Sequence, residues 1–118
     1  MAIQETMMKP AIKIYINETL KNEKVLKEAV SGVEEESIPY EILTAAEDDA
    51  ASLSYRAAAE SIVEVGIGIA GKEAAVHYKK LPESLPLFKI NYLAEEEKIR
   101  SICSNAARLV KGTPFIAI

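Results

Sequence analysis

Ile12, Ile14 and Ile16 alternate with Lys13 and Tyr15 in the stretch AIKIYIN, 11 to 17, and a period of two predicts a strand with one strongly apolar face. Between about 22 and 36 the period changes: Val25, Ala29 and Val33 recur at spacing four with Val30 beside them, the stripe of a helix lying on a core, and Pro39 blocks its continuation. YEILT, 40 to 44, predicts a second strand. EDDAASLSYRAAAE, 47 to 60, predicts an alanine-rich helix with an acidic first turn and a small-residued face that must pack close to its neighbour. In SIVEVGIGIAG, Val63, Val65, Ile67 and Ile69 alternate strictly, and EAAVHYKK follows as another strand after a turn at Ala70, Gly71 and Lys72, so the two form an antiparallel hairpin. Pro82 and Pro86 frame a loop before a fifth strand at 87 to 91. A last helix is predicted over 94 to 111, with Glu95, Glu96 and Glu97 in its first turn, Lys111 and Gly112 at its end and Pro114 beyond. Ile99, Ile102, Ala106, Leu109 and Val110 form its apolar stripe, and Ser101, Asn105 and Arg108 line another.

The order β, α, β, α, β, β, β, α predicts a three-layer α/β/α sandwich around a five-stranded, mostly parallel sheet with one strand reversed by the hairpin. One domain over 11 to 118 is expected, behind a loosely held leader at 1 to 10 that has no clear period. The 118 residues suffice to bury a core without a disulfide or metal staple. The single Cys103 has no partner for a disulfide or zinc site and fits a reducing cytosol. With 14 Lys and Arg against 18 Asp and Glu, the net charge of −4 offers no draw toward nucleic acid or anionic lipid. No stretch approaches the roughly 20 apolar residues of a membrane span, and the opening MAIQETMMKP lacks the basic start and apolar run of a targeting segment.

Residues 66 to 72, GIGIAGK, match the spacing of a dinucleotide loop through Gly66, Gly68 and Gly71, and of a P-loop through Lys72. Both motifs need a helix to follow, whose free N–H groups hold the phosphates. Here a second alternating segment follows, and Glu73 stands where a P-loop has the Ser or Thr that binds magnesium. The expected role is structural: Gly66 and Gly68 admit a close neighbour and Gly71 makes the turn. His77, the only histidine, shares a face with Glu73, Ala75 and Lys79 and is expected at the surface. Cys103, in mid-helix beside Ile102, is expected in or near the core rather than as a nucleophile. Asn105 and Arg108 face either solvent or a partner.

One feature resists the pattern. Glu34, Glu35 and Glu36 sit at the carboxyl end of the first helix, where the backbone is already partly negative and each exposed acidic side chain costs roughly 0.3 to 1 kcal/mol. The stripe through Glu35 holds Ser31 and Glu28, so its own helix offers no cation to neutralise it. Two readings stand: a solvated acidic turn, or a carboxylate met by a cation or basic partner from another chain, as magnesium is commonly held by one or two protein carboxylates.

The runs GVEEESIPYEI, VGIGIAGKEAAVHYKKLPESLPLF and NAARLVKGTPF, with the IKIYI strand, strongly resemble the small subunit of the diol and glycerol dehydratase reactivating factors, over about residues 11 to 116. The resemblance implies the fold of the dehydratase medium (β) subunit and of tRNA-synthetase anticodon-binding domains. It implies a non-catalytic chain that pairs with a large, chaperone-like ATPase subunit, two large and two small chains together. Such a complex acts on adenosylcobalamin-dependent dehydratases that hold damaged cobalamin. The small subunit exchanges places with the enzyme's medium subunit, so that the damaged cofactor leaves.

The resemblance also implies that Glu35, the middle of the acidic run, is a magnesium ligand at the interface with the large subunit, next to the ATP or ADP which that subunit binds; Glu34 and Glu36 carry no such assignment. The setting implied is the cytoplasm, with association with a bacterial microcompartment left open, as is self-association of the isolated chain. AAEDDAA and AEEEKIRSIC depart from the family pattern, which leaves open which dehydratase is served. The rival reading is a dehydratase medium subunit itself, against which the short stretch before the first strand counts. A nucleic-acid module shares the architecture but not the charge.

Overall fold

The computed structural model describes residues 10–118. All of the leader expected over 1 to 10 except Pro10 therefore lies outside the described residues. Eight elements follow in the predicted order: β1 (Ile12–Asn17), α1 (Glu23–Glu35), β2 (Tyr40–Ala45), α2 (Ala50–Glu60), β3 (Val65–Ala70), β4 (Glu73–Tyr78), β5 (Phe88–Asn91) and α3 (Lys98–Lys111). The strands form one sheet in the order β2-β1-β3-β4-β5. β1 runs parallel to β2 and β3, while β4 is antiparallel to β3 and β5, so four strands share a direction and the hairpin reverses one.

Alternation decides which side chains go to which layer. Ile12, Ile14, Val65, Ile67, Ile69, Ala74, Val76 and Ile90 project to one face and meet Val25, Ala29 and Val33 of α1 and Ile99, Ile102 and Cys103 of α3 in the main core. Tyr15 and Ala70 project to the other face, against Leu53 and Ala57 of α2. The face of β3 under α2 is lined by glycine because the helix backbone comes so close. A Cβ on Gly66 would lie 2.3 Å from the backbone nitrogen of Ala58, and one on Gly68 would lie 2.4 Å from that of Ser54. Gly71, at φ 57°, makes the hairpin turn.

One cap and two turns move three boundaries. Asn22 caps α1 by accepting from the Val25 N–H at 3.1 Å. Asp49 caps α2 through Ser52 N–H at 3.0 Å, which puts Glu47 and Asp48 ahead of the helix rather than in its first turn. α3 begins at Lys98, so Glu95, Glu96 and Glu97 precede it, because Asn91 Oδ1 accepts the N–H groups of Leu93 and Ala94 and holds the chain in a turn. β3 starts at Val65 because Glu64 takes a left-handed conformation, φ 64°, in a turn closed by its N–H on the Ser61 carbonyl. Gly112 ends α3 at φ 74°, as the sequence indicates.

Candidate functional site

α1 and α3 lie side by side on one face of the sheet and run in the same direction. Their contacts recur at four-residue steps along both: Lys24 reaches Glu96, Glu28 meets Arg100, Gly32 meets Ser104 and Glu36 meets Arg108. Four residues are about one helical turn, so the two surfaces match turn for turn. Gly32 sets the closeness, since a Cβ there would stand 2.4 Å from the Arg100 carbonyl oxygen. The crossing brings the basic side of α3 over the acidic end of α1.

Each of the three glutamates consequently has its own partner. Tyr40 Oη lies 3.4 Å from Glu34 Oε2. Arg100 Nη1 donates to Glu35 Oε2 at 3.2 Å, while Glu35 Oε1 has only Ser104 Oγ near it, at 3.5 Å. Glu36 is gripped on both oxygens, by Arg108 Nε at 3.1 Å and Lys111 Nζ at 2.7 Å, and its side chain is only 11 % exposed. The acidic helix end is thus compensated within the chain, by cations 65 to 75 residues further on. A search along α1 alone misses them. Arg108 and Lys111 in turn occupy the last turn of α3, where cations oppose that helix's own dipole.

The hydrogen bond from Lys111, followed by that from Arg108, holds the Glu36 carboxyl below its ordinary value of 4.5, against a partial burial that acts the other way. A carboxyl whose pKa is lower folded than unfolded contributes its stability fully above the unfolded value and loses it as pH falls through the folded one. Glu36→Gln should therefore be less stable than the parent at neutral pH. The gap should narrow as the pH drops below 4.5. Urea unfolding at about pH 7 and about pH 3 checks this, and a gap that stays constant would remove Glu36 as the titrating group.

His77 is not at the surface. It is fully buried beneath α2, and the expectation failed because both faces of β4 are covered. Asn105 also lacks the solvent or partner contact expected of it: it is buried, and its amide grips the backbone of Ile116, donating to the carbonyl at 3.0 Å and accepting from the N–H at 2.8 Å. Arg108 donates to the Pro114 carbonyl as well as to Glu36, so the two residues pin the C-terminal tail onto α3. Cys103 is buried and burial pushes its thiol up to about 12, which leaves no thiolate for nucleophilic work. The GIGIAGK glycines lie in β3 and the hairpin turn, and a strand rather than a helix N-terminus follows them in the chain.

Of Glu35 and Glu36, only Glu35 keeps an oxygen that no cation among the described residues holds. A hard cation such as magnesium needs an accessible oxygen, and Glu35, with its side chain 49 % exposed and Oε1 engaged by no cation, supplies one. Glu36 does not, having both oxygens held. Among the described residues no three His, Cys, Asp or Glu converge on a metal.

The sequence model of a family described as dehydratase medium subunit matches residues 9–116. The propanediol dehydratase-reactivating factor small subunit of Citrobacter freundii is 40% identical over 113 residues, 96% of each chain. The chain belongs to this family, on the side of the reactivating-factor small subunits. The likeness extends to the fold: a diol dehydratase-reactivating factor complexed with ADP and Mg2+ has a chain that superimposes with a TM-score of 0.83 at 35% identity, covering 92% of this chain and 99% of that one. A glycerol dehydratase reactivase gives 0.86 at 29% identity, with 92% and 98% covered. The sandwich expected for a reactivating-factor small subunit is the one observed, and the reactivating-factor relatives favour that reading over a dehydratase medium subunit.

Proposed function

We propose that this chain is the small subunit of a dehydratase-reactivating factor, a non-catalytic partner of a large ATPase subunit, in complexes of two large and two small chains. The observation that carries the reading is the near end-to-end match to the Citrobacter freundii small subunit, 96% of each chain. In this proposal the chain shares its fold with a dehydratase's medium subunit and can take that subunit's place, opening an inactivated enzyme so that damaged cobalamin departs. Glu35 contributes one oxygen to a magnesium ion held mainly by the large subunit with its nucleotide. The relative solved with ADP and Mg2+ supports this, as does Glu35 Oε1, which meets the Ser104 hydroxyl but no cation among the described residues. The complex works in the cytoplasm, where reducing conditions suit the unpaired Cys103.

Coexpression with the large subunit should yield a complex that is stable with magnesium and ADP and that restores turnover to an inactivated adenosylcobalamin-dependent dehydratase. No complex at micromolar concentration refutes the reading, and turnover restored instead to a dehydratase lacking its medium subunit would make this chain that subunit. Glu35→Ala should raise the Kd for the large subunit about tenfold, the effect expected when one charge-assisted interaction is removed. Calorimetric titration with magnesium present checks it, and an unchanged Kd removes Glu35 from the site.

A further inference from the structure

The Arg100 guanidinium is shared between two carboxylates of α1. Nη2 donates to Glu28 Oε2 at 2.9 Å and Nη1 to Glu35 Oε2 at 3.2 Å. The two grips differ. The Glu28 contact is the shorter, and the Glu28 side chain is 29 % exposed against 49 % for Glu35. Glu28 is therefore the resident partner and Glu35 the one more easily released. A divalent cation arriving at Glu35 meets a positive charge already on that carboxylate, and Arg100 can yield without becoming unpaired because Glu28 retains it.

We propose that Arg100 is an internal counter-cation that competes with the divalent metal for Glu35 and retreats to Glu28 when the metal binds, so that the Glu28–Arg100–Glu35 bridge sets the metal concentration at which this face engages its partner. The inference rests on the proposed role of Glu35. It adds that in the free chain Arg100 already sits on Oε2 of the metal-binding carboxylate, and its charge limits attraction of stray cations to Oε1 before the partner completes the site. Glu28 and Glu35 stand two turns apart on α1, and Arg100 approaches from α3 between them, so the device depends on the close crossing at Gly32.

The test is the magnesium concentration for half-maximal association of this chain with the large subunit in the presence of ADP, read by calorimetry or gel filtration. Arg100→Gln should lower it about two- to fivefold, the range expected when an exposed ion pair no longer competes, and the difference should shrink in high salt. Glu28→Gln should raise it, since Arg100 then has Glu35 alone. The double variant should behave like Arg100→Gln, because Glu28 acts through the guanidinium. A rise in Arg100→Gln would make Arg100 a positioning residue for Glu35 and overturn the competition. A Glu28→Gln effect that persists without Arg100 would overturn the relay. If Glu35→Gln associates with the same magnesium dependence as the parent, the Glu35 assignment itself falls, an outcome distinct from either.

Discussion

Gly68→Val should destabilise the protein by about 3 kcal/mol and lower its melting temperature by roughly 10 °C. The cause is steric and lies in backbone rather than in movable side chains. The first carbon added at Gly68 would meet the Ser54 nitrogen at 2.4 Å and the Ala50 carbonyl oxygen at 2.6 Å, so α2 as a whole must lift from the sheet. Lifting it also loosens Leu53 and Ala57 from Tyr15 and Ala70. Gly71→Ala should be milder, since no atom lies within 4 Å of the added carbon and the only cost is the left-handed φ of 57°. Urea unfolding of both variants decides the point. A Gly68→Val protein as stable as Gly71→Ala would mean that α2 does not rest on the glycine strip, and that the motif is glycine-rich for another reason.

Those glycines show what a single sequence can and cannot carry. Their role could be read in advance because it depends on local facts: alternation continues through Ile67 and Ile69, and no helix follows. The order of elements along the chain, the reversed β4 and the apolar stripes likewise follow from periodicity and from the hairpin, whereas the placing of β1 between β2 and β3 does not. What escaped was tertiary. The counter-cations of Glu35 and Glu36 lie on α3, brought over by two crossovers and a glycine contact that no pattern within α1 announces. Asn105 looked like part of an outward stripe because nothing local marks the tail from 114 to 116 as its cover. The acidic run itself was legible as an anomaly. Its resolution needed the neighbouring helix, which brings Arg108 and Lys111 to Glu36 and Arg100 to Glu35.

His77→Ala should cost about 3 kcal/mol, an effect out of scale with a surface histidine but expected for a fully buried ring that leaves a cavity and an unpaired carbonyl behind. The position follows from the sheet. His77 is paired with Gly66 across the ladder, and where glycine offers no side chain the imidazole fits under α2, edge-on to the Tyr55 ring with centroids 5.1 Å apart. Nδ1 accepts from the Tyr78 N–H at 3.0 Å, so the proton sits on Nε2, which donates to the Glu83 carbonyl at 3.1 Å. That second bond ties the proline-framed loop to the core while Leu85 stays 62 % exposed at its tip. His77→Ala should therefore also make the 81 to 87 segment more readily cut by proteases under native conditions, before global unfolding. His77→Gln, which keeps a donor for Glu83, should recover about half of the stability and most of the protection. If the alanine variant lost stability but the loop were cut no faster, the ring would be acting only as filling beneath α2, and the loop would owe its order to the Leu85 N–H on the Pro82 carbonyl and the Leu87 N–H on the Val76 carbonyl.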